Sequence, residues 1–380
     1  MNMKFICTLL SDLVLNETSS SEGKQKSINF IPGNNFLGIV ASELYSQLSS
    51  QESEAIFHSG RVRFGDAHPS DGIIRGLKVP AAMYYPKMSS ATEECYIHHL
   101  IENQECLKNK QLKQCREGFY IFDENKKIGT KLNVEKNFSI KSAYNSKKRK
   151  SMDECIFGYE SLPEGLVMCF EVESDLEDDT NIMIEKALIG KKRIGRSRSA
   201  QYGLVEIEKS DYKDACPTKA TETDTIVVYA DGRLIFLNEN GEATFQPTAA
   251  DLGLNGGDID LSKSQIRTFQ YSPWNGKRQT YDTDRCGIEK GSVFVVNNCK
   301  GCPKESQYIG AYKNEGFGRV IYNPDFLLAR NGNENGRAHY TLNDTLCEGP
   351  ENKVFVSKPT TSILINLAFF QQIIQFLIFH

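Results

Sequence analysis

The sequence lacks an excess of charge of either sign, since 45 Lys and Arg face 49 Asp and Glu and the formal net charge is −4. This balance excludes a uniformly basic nucleic-acid coat, so any binding of nucleic acid has to come from local patches. The 11 cysteines lack paired spacing over most of the chain, which favours a reduced, cytoplasmic compartment. The length of 380 residues predicts two or three domains with real hydrophobic cores.

Long hydrophobic runs are also scarce. The apolar run 5–10 is short, is followed closely by Asp12 and lacks a small-residue cleavage site, so it predicts an opening strand rather than a signal peptide. The run 363–379 is almost long enough to span a bilayer, but four amide side chains interrupt it. It predicts a terminal helix or strand that packs on the body or on a partner, with a tail anchor as the alternative. We expect no membrane partner.

Metal-ligand spacing is almost absent as well. Cys299 and Cys302 form a single Cys-x-x-Cys pair, and a zinc site needs a second pair that Cys286 does not supply at the usual spacing. We therefore predict no metal and no cofactor, while metal binding by the one pair remains the alternative.

What the sequence does have is a cationic, glycine-rich segment. Residues 194–205 read IGRSRSAQYGLV, and the interval between Glu185 and Glu206 contains six Lys or Arg and no acid. Apolar spacing over 181–189 predicts a helix before the segment, and the alternation over 204–208 predicts a strand after it. Glycines allow close backbone approach, arginines donate to phosphate oxygens and a tyrosine offers a flat face for a base. The pattern is typical of a loop that binds single-stranded RNA.

The same pattern occurs again 115 residues later, at 309–320, which reads IGAYKNEGFGRV. Ile-Gly opens both segments, an aromatic residue and Gly occupy the ninth and tenth positions, and Val closes both. Such a match predicts two copies of one supersecondary unit.

The candidate RNA-binding residues belong to these two segments, to the basic residues that precede the first, and to a predicted strand with basic residues on one face. They are Arg61, Arg63, Lys192, Arg193, Gly195, Arg196, Ser197, Arg198, Ser199, Tyr202, Gly203, Lys313, Gly316, Phe317, Gly318 and Arg319. Arg196 and Arg198 have the alternative of pairing with the nearby acidic run, and Arg61 and Arg63 that of being exposed-face residues without a role in binding. The rings of Tyr202 and Phe317 have the alternative of packing in the core.

The order of predicted elements indicates an α+β protein. Strand, helix, strands, helix, strand over residues 1–210 fits a split β-α-β, ferredoxin-like unit, with a polar insertion at about 88–155. A second domain covers 223–330 and starts with a predicted hairpin around Asp231-Gly232. Residues 331–380 are predicted to be irregular and to end in the hydrophobic tail.

Several of these motifs resemble the RAMP superfamily of CRISPR-associated proteins. Ile31-Pro32-Gly33 is similar to its helix-entry motif, and 315–320 is similar to its glycine-rich loop. The segment 287–294 is similar to its strand entry, although Glu289 stands where Pro is usual. Residues 195–203 and 62–67 are most similar to the foot subunit of type III-D effector complexes.

The resemblance implies two RRM-like RAMP domains in a non-catalytic subunit that binds the 5′ repeat-derived handle of the guide RNA. It also implies docking to the large polymerase-like signalling subunit and to the first backbone RAMP subunit. In such complexes base pairing reads the sequence, whereas the protein reads backbone and shape.

Two alternatives stay open. A metal-independent endoribonuclease of the same superfamily would process the guide-RNA precursor and commonly uses a His on the first helix as general base. The predicted helix 36–48 has no His, which disfavours that alternative. The other alternative is an RNA-binding module outside any CRISPR system.

Overall fold

The structure is a computed structural model that describes residues 1–16, 24–103, 107, 110–145, 150–198, 201–214, 216–219, 224–329 and 335–347. We call residues 1–214 the first half and residues 224–329 the second half. The described residues contain three α-helices, all in the first half: α1 (Gly33–Leu44), α2 (Ser50–Phe57) and α3 (Asp178–Leu188). Ser199 and the hydrophobic tail of the sequence lie outside the described residues.

The strands of the first half are, in chain order, β1 (Asn2–Leu9), β2 (Lys24–Gln25), β3 (Val62–Phe64), β4 (His68–Pro69), β5 (Ile74–Arg75), β6 (Leu77–Lys78), β7 (Met83–Pro86), β8 (Tyr96–Ile97), β9 (Leu112–Gln114), β10 (Phe119–Asp123), β11 (Ile128–Leu132), β12 (Asn137–Asn145), β13 (Lys150–Ser161), β14 (Val167–Ser174), β15 (Gly190–Arg193), β16 (Leu204–Lys209) and β17 (Lys213–Asp214). The later strands are β18 (Ile226–Ala230), β19 (Phe236–Leu237), β20 (Ala243–Thr244), β21 (Asp258–Ile259), β22 (Thr268–Tyr271), β23 (Trp274–Asn275), β24 (Thr280–Tyr281), β25 (Arg285–Ile288), β26 (Val293–Asn297), β27 (Gln307–Tyr308), β28 (Arg319–Tyr322) and β29 (Thr341–Cys347).

The sheet of the first half has the antiparallel order β15-β16-β1-β14-β3, and β4 also pairs with β14. Alternate residues of β1 are buried, as expected for a strand with one face on a core. On that core, the Phe36 ring of α1 stacks on Phe170 of β14 with 3.7 Å between centroids. The opening segment is therefore a strand of the sheet, and the predicted α+β class is confirmed.

The sheet of the second half repeats this order with other strands. Its order is β27-β28-β18-β26-β21, again antiparallel, so each strand has a counterpart in the first sheet. No α-helix occurs within the second half, where a ferredoxin-like unit would have two. The segments in their places, 238–257 and 297–306, are rich in Gly, Asn and Pro, which disfavour helix.

The predicted polar insertion contributes to a shared core. Phe122 of β10 stacks on Phe326 with 4.0 Å between ring centroids, and both belong to one apolar cluster with Tyr229 of the second sheet. Strand β11 pairs in parallel with β29, from the C-terminal end of the described chain. Residues 1–347 accordingly form one compact unit, and the domain boundaries remain a prediction.

A buried ion network links the two halves. The Asp231 side chain is fully buried and accepts from Arg75 Nη1 at 2.9 and 3.1 Å and from Arg319. Arg319 Nε also lies 2.5 Å from a carboxylate oxygen of Glu171. The predicted hairpin around Asp231 is wrong, because β18 pairs with β26 and β28 and the carboxylate of the expected turn residue points into this network.

Lys290 extends the network toward α1. Its Nζ atom lies 2.8 Å from Asp66 Oδ2 and 2.8 Å from His68 Nε2, and all three residues are buried. Burial, together with Arg75 and Lys290, holds the pKa of His68 well below its usual range, so the imidazole is neutral and accepts from the ammonium. Burial raises the pKa of Asp231, but the two arginines outweigh it and the net shift is downward. Apart from the neutral His68, these groups are charged and paired in the interior, and the pairing depends on both halves being present.

We expect Asp231→Asn to reduce the free energy of unfolding by about 3–5 kcal/mol, because it removes the carboxylate that pairs with the buried Arg75 and one of the carboxylates that pair with the buried Arg319. Urea denaturation followed by circular dichroism measures the change. The matched control is Asp175→Asn, which breaks an Arg–Asp pair whose carboxylate side chain is 59% exposed, and we expect it to cost less than about 1 kcal/mol. Equal losses for the two variants would contradict the structural role of the network.

Candidate nucleic-acid interface

The two glycine-rich segments form the same loop in the same place. The first loop, 194–203, joins β15 to β16, and the second loop, 309–318, joins β27 to β28. In the first loop, Ile194 N donates to Gly203 O (2.9 Å), Arg196 N to Val14 O (2.9 Å) and Gly203 N to Asp12 O (2.8 Å). The same three bonds occur at the equivalent positions of the second loop, where Ile309 N donates to Gly318 O (3.0 Å), Ala311 N to Ile235 O (2.8 Å) and Gly318 N to Arg233 O (2.8 Å). The sequence repeat thus corresponds to a repeat of structure.

The paired glycines serve the loops themselves. Gly203 and Gly318 have φ of +78° and +104°, and a Cβ atom there would lie 2.0 Å from Ile194 O and 2.2 Å from Ile309 O. Gly195 likewise has φ of +74° and lies against the carbonyl of Val14. The structure gives these glycines a close approach within the chain, and their close approach to RNA stays a prediction.

The second loop is docked on the first half. A Cβ atom at Gly316 would lie 2.8 Å from Asp66 Oδ1 and 3.0 Å from the Cα atom of Gly33, the first residue of α1. In the same turn, Asn314 Nδ2 donates to Phe57 O at 2.7 Å. Gly33 N donates to Asp66 Oδ1 at 2.8 Å, so the loop closes over the carboxylate that caps α1.

Docking gives the predicted contact residues of the second loop an internal role. Phe317 is buried and stacks on Phe269 with 6.0 Å between centroids, and Arg319 belongs to the ion network. Gly316 and Gly318 are enclosed by backbone, and Lys313 is half-buried in the docked turn. None of them forms an open cationic surface, because the first half covers the loop.

Two further candidates contact the acidic run 171–179. Arg63 donates to both carboxylate oxygens of Asp175, at 2.6 and 2.9 Å, and to Glu173 at 3.3 Å. Arg61 Nη2 donates to the backbone oxygen of Asp175 at 3.0 Å. Arg63 is therefore paired with the acidic run, whereas Arg61 is exposed and bonds to the backbone of that run.

The first loop and the strand β15 before it, in contrast, carry exposed basic side chains. Lys191, Arg193 and Arg198 are exposed, and neither Lys191 nor Arg198 forms an ion pair within the described part of the chain. Arg193 Nη1 donates to Arg198 O at 2.7 Å, and this hydrogen bond connects the start of the loop to its turn. Ser197 adopts φ of +54°, so the backbone turns sharply between the two exposed arginines.

The other predicted residues of this loop support it from below. Lys192 is half-buried and pairs with Glu43 of α1, and the Arg196 guanidinium lies 5.6 Å from the centre of the Tyr159 ring. Tyr202 is buried, with its hydroxyl 2.9 Å from Ser139 Oγ and its ring edge-on to Tyr159. Tyr202 therefore packs in the core, which is the alternative to base stacking, and its ring has no exposed face for a base.

Sequence reasoning missed a hairpin that adjoins the first loop. We call residues 268–288 the hairpin arm, in which β22 pairs with β25 and β23 with β24. The arm runs along α1, since Asn34 Nδ2 donates to Tyr271 Oη at 3.0 Å and Lys277 Nζ lies 5.7 Å from the centre of the Tyr45 ring. Its turn meets the loop, where the Nη2 atom of Arg198 lies 3.9 Å from the Cβ position of Gly276.

The arm had a signal in the sequence. Asn275-Gly276 is a hairpin turn signal, and Lys277-Arg278 follow it between the aromatic residues Trp274 and Tyr281. The contact with the first loop had none, because it joins positions nearly eighty residues apart.

Two other features of the sequence have local explanations. Cys299 Sγ lies 3.6 Å from Val296 O and Cys302 Sγ lies 3.6 Å from Lys219 O, so each thiol has its own backbone acceptor. Over the described ranges, no group of three or more His, Cys, Asp or Glu side chains could hold a metal ion. A search of the same residues finds no helix with the length and apolar character needed to cross a bilayer.

Comparison with protein-family models and with curated proteins finds no match. Among solved structures, the chain is similar to a chain of the type III-B Cmr-beta complex bound to cognate target RNA and AMPPnP, with 12% identity, coverage of 78% of this chain and 86% of that one, and a TM-score of 0.44. A chain of the same complex bound to cognate target RNA is 10% identical, with coverage of 77% of this chain and 86% of that one and a TM-score of 0.44. Oligomeric Cmr4 from Pyrococcus furiosus is 14% identical, with coverage of 55% of this chain and 98% of that one and a TM-score of 0.26. Because every TM-score is below 0.5, these likenesses do not assign the chain to a family or a function.

We expect Gly316→Ala to destabilise the protein by about 1–3 kcal/mol more than Gly301→Ala, since it adds overpacking to backbone strain. Gly301 is a matched control, because its φ of +103° is close to the +100° of Gly316 but a Cβ atom there meets nothing within 4 Å. Thermal and urea denaturation of both variants measure the difference. If the two variants are equally stable, the second loop is not docked on α1 as described.

Proposed function

We propose that the chain is a non-catalytic RNA-binding subunit of a type III CRISPR effector complex and a member of the RAMP superfamily. Its exposed first loop binds the 5′ repeat-derived handle of the guide RNA. One observation carries the proposal: the same loop occurs twice, and the copy that the protein leaves open is the one with exposed cations, at Arg198 and on the strand β15 that leads into it.

The contrast between the loops supports a polyanion as the partner of the open one. The second loop has Glu315 at its tip, bound by Arg285 Nη2 at 2.8 Å, and it is covered by the first half. The first loop has no acid, and Arg198 on the loop and Lys191 and Arg193 on the preceding strand β15 are exposed. Exposed Lys and Arg contacts to phosphates supply most of the affinity of non-specific nucleic-acid binding and position the strand.

The finer parts of the proposal rest on the motif resemblance. The similarity of 195–203 and 62–67 to the foot subunit of type III-D complexes supports that complex type and the 5′ handle as the ligand. It also supports docking to the large polymerase-like signalling subunit and to the first backbone subunit. The common strand order of the two sheets supports two RAMP domains, at 1–210 and 223–330, the second without α-helices among its described residues.

The composition of α1 supports the non-catalytic role over the endoribonuclease. An enzyme of that kind commonly places a His on its first helix. Helix α1 reads GNNFLGIVASEL and has none. The next His along the chain, His58, follows α2 and packs edge-on against Tyr45.

We expect the double variant Lys191→Ala, Arg198→Ala to bind single-stranded repeat RNA about tenfold more weakly, ~1.4 kcal/mol, because it removes phosphate contacts. The slope of log K against log salt concentration should become shallower by about 1.4, at ~0.7 per contact on a single strand. Fluorescence anisotropy of labelled RNA over a series of salt concentrations measures both quantities.

The matched control is Lys87→Ala, Lys126→Ala, which removes two exposed charges from the segment 83–132 and should leave affinity and slope unchanged. An unchanged affinity and slope in the loop variant would contradict the proposed site. All binding is measured in EDTA, and specific cleavage of the RNA under those conditions would favour the endoribonuclease instead.

A further inference from the structure

We propose that Trp274, on the hairpin arm, stacks on an unpaired base of the RNA strand whose phosphates the first loop binds. This inference rests on the proposed function and adds to it a second element of the same site, from the other half of the protein. In this arrangement the first loop binds the phosphates of the RNA backbone, and the hairpin arm binds one of its bases.

The exposure of Trp274 is the first observation. Its side chain is 51% exposed, although a tryptophan has the largest apolar surface of any residue and is highly buried on average. Tyr281 packs against the indole at 5.0 Å in a T-shaped arrangement, with an angle of 79° between the rings. The ring is therefore held in one orientation while much of its surface faces water, as in a stacking platform for a nucleic-acid base.

The position of the ring is the second observation. Trp274 lies two residues before Gly276, the point at which the arm meets the Arg198 guanidinium. Two residues of extended strand span about 7 Å. A nucleotide whose phosphate lies at Arg198 can therefore place its base near Trp274.

The rigidity of this arrangement is the third observation. Lys192 pairs with Glu43 of α1, and the arm contacts the same helix through Tyr271 at Asn34 and Lys277 at Tyr45. One helix thus fixes both the loop and the arm. The two elements need no rearrangement to act together, which lowers the cost of ordering them on binding.

The charges on the arm suit a base more than a phosphate. Arg278 pairs with Asp282 at 3.1 Å, and Asp284 accepts from Ser272 at 2.5 Å and from Gln270 at 2.6 Å. Arg285, the third basic residue of the arm, pairs with Glu315 of the second loop at 2.8 Å, and Lys277 and Arg278 are balanced by the two carboxylates of the arm, so the arm has little free charge. The cations that attract the backbone lie on the first loop, and the arm contributes the aromatic surface.

Trp274 is the only tryptophan in the chain, so intrinsic fluorescence reports on this one ring. We expect single-stranded repeat RNA to quench the emission, whereas inorganic polyphosphate, a polyanion without bases, should leave it unchanged. Trp274→Ala should weaken RNA binding roughly tenfold, within the range expected for loss of one base stack. Trp274→Phe should restore most of the affinity.

A second readout separates stacking from charge. Because Trp274→Ala removes no phosphate contact, its slope of log K against log salt should equal that of the wild type, unlike the slope of the loop variant. Leu261→Ala, at an apolar residue that is 61% exposed outside the arm, is the matched control and should change neither quantity. Urea denaturation of all variants confirms that they are folded.

The outcomes distinguish the inference from the proposed function. RNA binding with unchanged emission and with full affinity in Trp274→Ala would overturn the inference and leave the proposed function standing. Equal quenching by polyphosphate would also overturn it, since charge alone would then account for the change. If the wild type binds no RNA, the proposed function fails and the inference fails with it.

Discussion

The ion network around Asp231 is the interaction on which the rest of the structure depends. It buries charged side chains from both halves, and a buried charge is tolerated only when its partners are in place. Arg319, which closes the second loop, is one of those partners. The network therefore holds the second sheet in one position against the first, and that position brings the second loop onto the start of α1.

The position of the second sheet against the first explains why the second loop is buried and the first loop is exposed. Each loop needs its glycines for its own backbone turn, which explains why the same spacing occurs in both. The second loop is covered by the first half, and its sequence is adapted to that contact, with Gly316 against Gly33 and Asn314 donating to Phe57 O, while Glu315 pairs with Arg285 of its own half. The first loop has the same framework but an exposed, cationic tip beside the hairpin arm.

The sequence predicted local features well. The opening strand, the helix before the first loop and the strand after it follow from apolar periodicity, and the repeat follows from fixed backbone geometry. Helix α1 ends at Leu44, earlier than predicted, and it is capped by Asp66 from a distant strand connection. Arg319 and Arg198 could not be told apart in sequence, because the acids that bury Arg319, Glu171 and Asp231, are far away along the chain. Trp274 was missed for the same reason, since its place beside the first loop depends on the packing of the arm along α1.

We expect the first loop to be accessible to RNA and the second loop to stay buried against the first half. Amide hydrogen exchange of peptides that cover both loops, measured in the free protein and with single-stranded repeat RNA bound, tests it most directly. The account predicts slow exchange of the second loop, 309–318, in both states, and exchange at Ser197 and Arg198 that is fast in the free protein and slows on binding. Protection by RNA that appears in the second loop and is absent from the first would contradict it.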